Sequence, residues 1–185
     1  MIGWFIVTRF RRLSLGATLG LLLIVQIGCT SNLSLDWAQV SELIETEFPN
    51  LPTLTTAELQ DALSTDRPVV LLDARAPEEF AVSHLSGARR VDSVQEAMAV
   101  LDTSDSDALV VAYCSVGYRS AALVQALRAR GIEAFNLEGS IFRWANEERP
   151  VHRGDAAVRE VHPFNDSWGP LLDRNLWAYA PRATP

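Results

Sequence analysis

Apolar positions along this chain follow two rhythms. Trp37, Val40, Leu43, Ile44 and Phe48 recur three and four residues apart, which is one face of a helix, and Asp36 stands where it can cap the first turn. The segment Phe48-Pro49-Asn50-Leu51-Pro52 ends that helix in a turn. Thr55 or Thr56 opens a second short helix through Leu63, with Glu58 three residues after Thr55 as a capping box requires. The rhythm then changes. Residues 68–73, apolar until Asp73, and the apolar run 108–113 read as strands buried on both faces. Shorter strands are predicted at 89–91 and 132–137. Helical patterns fall between them at 76–82, with Pro77 in its first turn, and at 93–101. Another covers 120–130, with Leu123, Val124 and Leu127 on the inner face and Gly131 closing it, and a last one covers 141–147. Residues 103–107 read as a surface loop. Strands alternating with helices predict an α/β fold on a parallel sheet, whose ligands bind beyond the carboxyl ends of the strands. Residues 151–185, with four prolines and Trp168 and Trp177, read as an irregular C-terminal extension packed on the domain.

Charge separates the start of the chain from the rest. Arg9, Arg11 and Arg12 precede an uncharged, leucine-rich run over 13–28, whereas all 23 acidic residues follow Leu35. The order basic, apolar, small residue fits an export signal, and the run is short for a membrane span. Ile27-Gly28-Cys29 resembles a bacterial lipoprotein processing site, in which Cys29 would become the lipidated first residue. Gln26 departs from that pattern. An uncleaved membrane anchor and an inert apolar Cys29 are the other readings. The expected organisation is a signal, lipoprotein-type or anchor segment at 1–29 and a linker with an amphipathic helix at 30–50. One domain follows at 51–150, then the extension. The expected location is the bacterial cell envelope, with membrane attachment through the N-terminal segment only.

Net charge of −7 argues against nucleic acid as a partner. The chain has no lysine, which excludes Schiff-base chemistry and a phosphate-loop lysine. His152 and His162 have no cysteine partner and no metal-ligand spacing, so no metal site is expected, and no cofactor.

The chemistry concentrates in Cys114-Ser115-Val116-Gly117-Tyr118-Arg119-Ser120, between a buried strand and the start of a helix. Backbone N–H groups converge there and the helix dipole favours negative charge, which stabilises a thiolate. Cys114 is the candidate nucleophile, against the alternative of a buried structural thiol. The amides of Ser115, Val116, Gly117, Tyr118, Arg119 and Ser120 would form an anion nest, with Gly117 supplying a positive φ. Arg119 would hold an anionic substrate. Asp73 and Arg75 are expected to pair beneath the site. His84 is expected to bond to backbone, with the role of base as its alternative. Glu138 either rims the pocket or is solvated.

These segments resemble the rhodanese family of sulfurtransferases. Leu72-Asp73-Ala74-Arg75 with Glu78-Glu79-Phe80 is similar to that family's first strand and helix. His84-Leu85-Ser86-Gly87-Ala88 resembles its signature segment, with Ser86 in place of proline. Cys114 to Ser120 resembles the active-site loop, and Asn136-Leu137-Glu138-Gly139-Ser140 the closing motif, with Ile141 where an aromatic residue is common. The resemblance spans about residues 50–150 and implies a five-stranded parallel sheet flanked by helices on both sides. It also implies a sulfane sulfur carried as a persulfide on Cys114, taken from thiosulfate or a related donor and passed to a thiol or cyanide. A noncatalytic binding module is the alternative from another class. A thiol-based phosphatase or redox enzyme is a third, weakened because the Cys114–Arg119 loop is one residue shorter than the loop of cysteine phosphatases.

Overall fold

The computed structural model describes residues 35–182. Cys29 and the expected signal or anchor segment lie outside the described residues. Among the described residues, no helix is long and apolar enough to cross a membrane.

Helix α1 (Trp37–Glu47) begins at a capping box in which Asp36 accepts from the Gln39 N–H and the Gln39 side chain accepts from the Asp36 N–H. Helix α2 (Thr56–Leu63) uses the same device with Thr55 and Glu58. Between them lies β1 (Thr53–Leu54), where only a turn and a cap were expected. A two-residue strand is too short to show a period of its own. Its partner defines it: Thr53 pairs with Asn136 and Leu54 with Leu137.

The remaining elements are β2 (Val69–Asp73), α3 (Pro77–Val82), β3 (Arg89–Arg90), α4 (Val94–Leu101), β4 (Leu109–Tyr113), α5 (Tyr118–Arg128), β5 (Ala134–Leu137) and α6 (Ser140–Asn146). The sheet has the order β1-β5-β4-β2-β3, and every pairing in it is parallel. The central strand β4 is buried along its whole length, which is why its sequence is apolar at every position. Its alternating side chains feed two cores. Val111 and Tyr113 join Leu59, Leu71, Leu85 and Phe142 on one face. Val110 and Ala112 join Leu72, Leu123, Val124 and Leu127 on the other.

Two bounds differ from expectation near the cysteine. Helix α5 starts two residues early, at Tyr118, because Gly117 takes the left-handed cap conformation. Strand β5 starts late, at Ala134, because the Ile132 N–H still donates to Leu127 O of α5 and the pairing with β4 begins only at Ala134.

The C-terminal extension is not irregular throughout. It holds an antiparallel hairpin, β6 (Val151–Arg153) with β7 (Ala156–Val158), and two short 3-10 turns at Gly169–Leu171 and Arg174–Leu176. Val161, Leu171, Leu172, Leu176 and Ala178 are buried, and Trp168 and Trp177 pack against the core. Val161 is fastened twice, its N–H donating to Leu176 O (2.8 Å) and its carbonyl accepting from Ala178 N–H (3.1 Å).

Candidate active site

Strand β4 delivers Cys114 to the carboxyl edge of the sheet, and the chain turns through Ser115, Val116 and Gly117 into α5. Gly117 has φ 110°, a region open to glycine and strained for other residues. That turn brings the Gly117 N–H to 3.2 Å from Cys114 Sγ. The thiol is buried, 1 % exposed. Burial pushes its pKa up. The positive charge of Arg119, the amides of Ser120 and Gly117 and the Ser120 hydroxyl together outweigh burial, so the thiol lies below its ordinary range. The sulfur is therefore enclosed by donors and a cation.

Neighbouring elements hold the loop rigid. The N-terminal amides of α6 donate to loop carbonyls, Ile141 to Cys114 O (3.2 Å) and Phe142 to Ser115 O (3.1 Å). Ser140 Oγ accepts from the Cys114 N–H (3.1 Å), and its hydroxyl reaches Leu137 O (3.1 Å). Asn136, buried in β5, donates to Gly117 O (3.1 Å) and accepts from the Ser120 hydroxyl (2.6 Å). On the outer side, Ile44 and Phe48 of the α1 segment meet the loop. Ile44 Cδ1 would lie 3.3 Å from a Cβ added at Gly117, and the Phe48 ring meets Tyr118 edge-on with centroids 5.4 Å apart. A cavity of about 400 Å³ lies beneath α1, lined by Trp37, Ile44, Phe48, Val116, Asn136 and Glu138 among others.

Arg119 differs from expectation. Its guanidinium is already paired with Glu79 of α3, Nη1 to Oε2 at 2.7 Å and Nη2 to Oε1 at 2.8 Å. Nη2 also donates to Ser115 Oγ (3.0 Å), and the Ser115 hydroxyl donates to Glu79 Oε1 (2.8 Å). Burial raises the Glu79 pKa, but its bonds to Arg119, the Ala76 amide and Ser115 bring it below the ordinary carboxylate value. The cation is thus neutralised in place by a carboxylate, and one face of it is covered by the Phe164 ring, 4.4 Å away. The side chains of Ser115 and Ser120 turn inward to Glu79 and Asn136.

Asp73 and Arg75 form a fully buried pair (Nε to Oδ1 2.9 Å, Nη2 to Oδ2 2.7 Å), and Arg75 also donates to Ser83 O (2.6 Å). Burial alone would lower the Arg75 pKa; the Asp73 charge reverses this and raises it. His84 is 3.0 Å from Leu85 O through Nδ1, stacks on Phe80 at 4.2 Å and exchanges backbone hydrogen bonds with His152. These are structural contacts. Glu138 lines the cavity under α1, half-exposed and paired with Arg143.

Four site residues escaped the sequence reading as participants: Glu79, Asn136, Ser140 and Phe164. Asn136 carried a usable signal, being a polar residue inside an apolar strand run. Phe164 carried none.

Comparison with known proteins gives the family. The family model described as Rhodanese-like domain matches residues 55–147. A putative sulfurtransferase, YtwF, of Bacillus subtilis is 30 % identical over 99 residues, covering 52 % of this chain and 93 % of that protein. A probable adenylyltransferase/sulfurtransferase, MoeZ, of Mycobacterium tuberculosis is 34 % identical over 100 residues, covering 53 % of this chain and 26 % of that protein. The chain thus spans about a quarter of the larger relative. Among solved structures, a thiosulfate sulfurtransferase of Pseudomonas aeruginosa superposes with a TM-score of 0.55 and 25 % identity, over 62 % of this chain and 22 % of that one. With that family model matching half of its length, this chain belongs to the rhodanese-like domain family.

Proposed function

We propose that this protein is a sulfurtransferase that carries a sulfane sulfur as a persulfide on Cys114. One observation supports the reading above the others: a thiol held below its ordinary pKa, with the Gly117 N–H aimed at its sulfur and Arg119 beside it. The Cys114 thiolate attacks the outer sulfur of thiosulfate or a related donor. The new S–S bond forms as the donor's S–S bond breaks, and sulfite, or a thiolate from an organic donor, leaves with the bonding pair. The terminal sulfur of the Cys114 persulfide is anionic, and the Gly117 and Ser120 amides, which bond the thiol, support the reading that this loop stabilises such charge. A thiol or cyanide then attacks that sulfur and regenerates the Cys114 thiolate. Splitting the transfer into two displacements is covalent catalysis, and it requires no cofactor.

Each neighbour has a stated part. Arg119 lowers the thiol pKa and is held by Glu79. Gly117 and Ser120 supply donors. Asn136 and Ser140 fix the loop, and Asp73, Arg75 and His84 support it from below. Intact mass spectrometry tests the reading. After thiosulfate treatment, wild type should gain the mass of one sulfur atom, and Cys114→Ser should not. Failure of wild type to take up sulfur from thiosulfate, mercaptopyruvate and glutathione persulfide alike would remove the enzyme reading in favour of a binding module.

We also propose that the protein acts in the cell envelope, attached through residues 1–29. The basic-then-apolar order of that segment and the position of Cys29 support this. The intact mass of protein from the membrane fraction tests it: a lipid adduct on Cys29 supports attachment there, and an unmodified soluble chain overturns it.

A further inference from the structure

The C-terminal extension places an aromatic ring on the catalytic loop. Phe164 lies outside the region matched by the family, which ends at residue 147. Its ring covers one face of the Arg119 guanidinium at 4.4 Å. Its backbone takes φ 65°, a left-handed conformation that is uncommon for a bulky residue and carries strain. Its surroundings impose that conformation. The Phe164 N–H donates to His162 Nδ1 (3.0 Å), buried Val161 is tied to two backbone partners, and the Ser83 hydroxyl reaches Glu160 O (2.5 Å). A strained residue kept in a well-fastened segment, with its ring on the one charged side chain of the loop, points to a role at the site. Phe164 is also 36 % exposed, so part of the residue remains open to a ligand.

Arg119 has a second property. Two of its N–H groups are spent on Glu79 and another on Ser115. A small dianion approaching it meets the Glu79 carboxylate on the same guanidinium, beside an aromatic face that cannot solvate charge.

From these observations we propose that Phe164 is a specificity-determining residue that favours sulfur donors bearing a single negative charge and an apolar or aromatic body over the bare thiosulfate dianion. The proposal rests on the sulfurtransferase reading and deepens it. The donor's body lies against the Phe164 ring while its outer sulfur faces Cys114. The Cys114 thiolate takes that sulfur, the donor's S–S bond breaks, and the remainder leaves with the electron pair, as a sulfinate when the donor is a thiosulfonate.

Three donors separate charge from body: thiosulfate, the methanethiosulfonate anion and the benzenethiosulfonate anion. In steady-state assays with a common thiol acceptor, kcat/KM should rise from thiosulfate to methanethiosulfonate. It should rise again to benzenethiosulfonate, the last step by about tenfold if the ring contact is made. Phe164→Gly removes the ring at a φ that glycine adopts without strain, and circular dichroism checks its folding. In this variant the advantage of benzenethiosulfonate over methanethiosulfonate should vanish, chiefly through KM, and Phe164→Tyr should restore it. Equal losses on all three donors, or no benzenethiosulfonate advantage in wild type, would overturn the role of Phe164 while leaving the transferase intact. Intact mass distinguishes the deeper failure: if no donor loads sulfur on Cys114, both readings fall.

Discussion

The Cys114 thiol owes its lowered pKa to a contest at one sulfur atom. Burial is the largest influence on the Cys114 thiol and raises its pKa, while Arg119 is the largest of the influences that oppose it. Arg119→Gln should therefore move the midpoint of iodoacetamide alkylation to higher pH, and the pH profile of sulfur loading should move with it. An unchanged midpoint would assign the lowered pKa to the loop amides alone. The Gly117 turn and the nearness of Arg119 to the Cys114 thiol were legible because the three residues share one loop. The pairing of Arg119 with Glu79 was not, since Glu79 lies forty residues from Arg119 in sequence and nothing local marks that carboxylate as its partner. Only the return of the chain through β3, α4 and β4 brings α3 against the loop.

Among elements, the loop and its two flanking helices carry the sharpest expectations. Gly117→Ala would force a Cβ into a left-handed backbone, 3.3 Å from Ile44 Cδ1, so a loss of about 1–2 kcal/mol in urea unfolding is expected, together with slower sulfur loading. Helix α1 depends on its cap: Asp36→Ala should cost about 1 kcal/mol, read by the same titration. Buried strands and capped helices were readable because their signals are local: β2 and β4 by continuous apolar runs, α1 and α2 by Asp36 with Gln39 and Thr55 with Glu58. Strand β1 was hidden because two residues cannot display an alternation, and its existence depends on β5. The hairpin β6–β7 was hidden for a related reason. Its residues Val-His-Arg and Ala-Ala-Val have no regular apolar period, and their pairing is set by the turn at Gly154, φ 57°.

At the scale of the whole molecule, two buried titratable groups tie the extension and the loop to pH. Burial lowers the His162 pKa below its ordinary value, so the unfolded chain binds a proton there before the native one does. Stability is then present above the ordinary histidine pKa and is lost as pH falls below it. The Glu79 pKa is also depressed, so its contribution is present above the ordinary carboxylate value and lost as pH falls through the lower folded value. Melting temperature should accordingly decline on acidification in two stages, histidine first. His162→Asn, whose carbonyl oxygen can accept the Phe164 N–H in place of Nδ1, should remove the first stage and leave the second. One small side chain links this larger behaviour to the sulfur. The Ser140 hydroxyl accepts a hydrogen bond from the Cys114 N–H and donates one to Leu137 O, so the ends of β4 and β5 are tied through one side chain. If Cys114 takes up a sulfur atom as proposed, any swelling of its turn is transmitted to the first residue of α6. Amide exchange at Ile141 and Phe142 would then register whether the carrier is empty or charged.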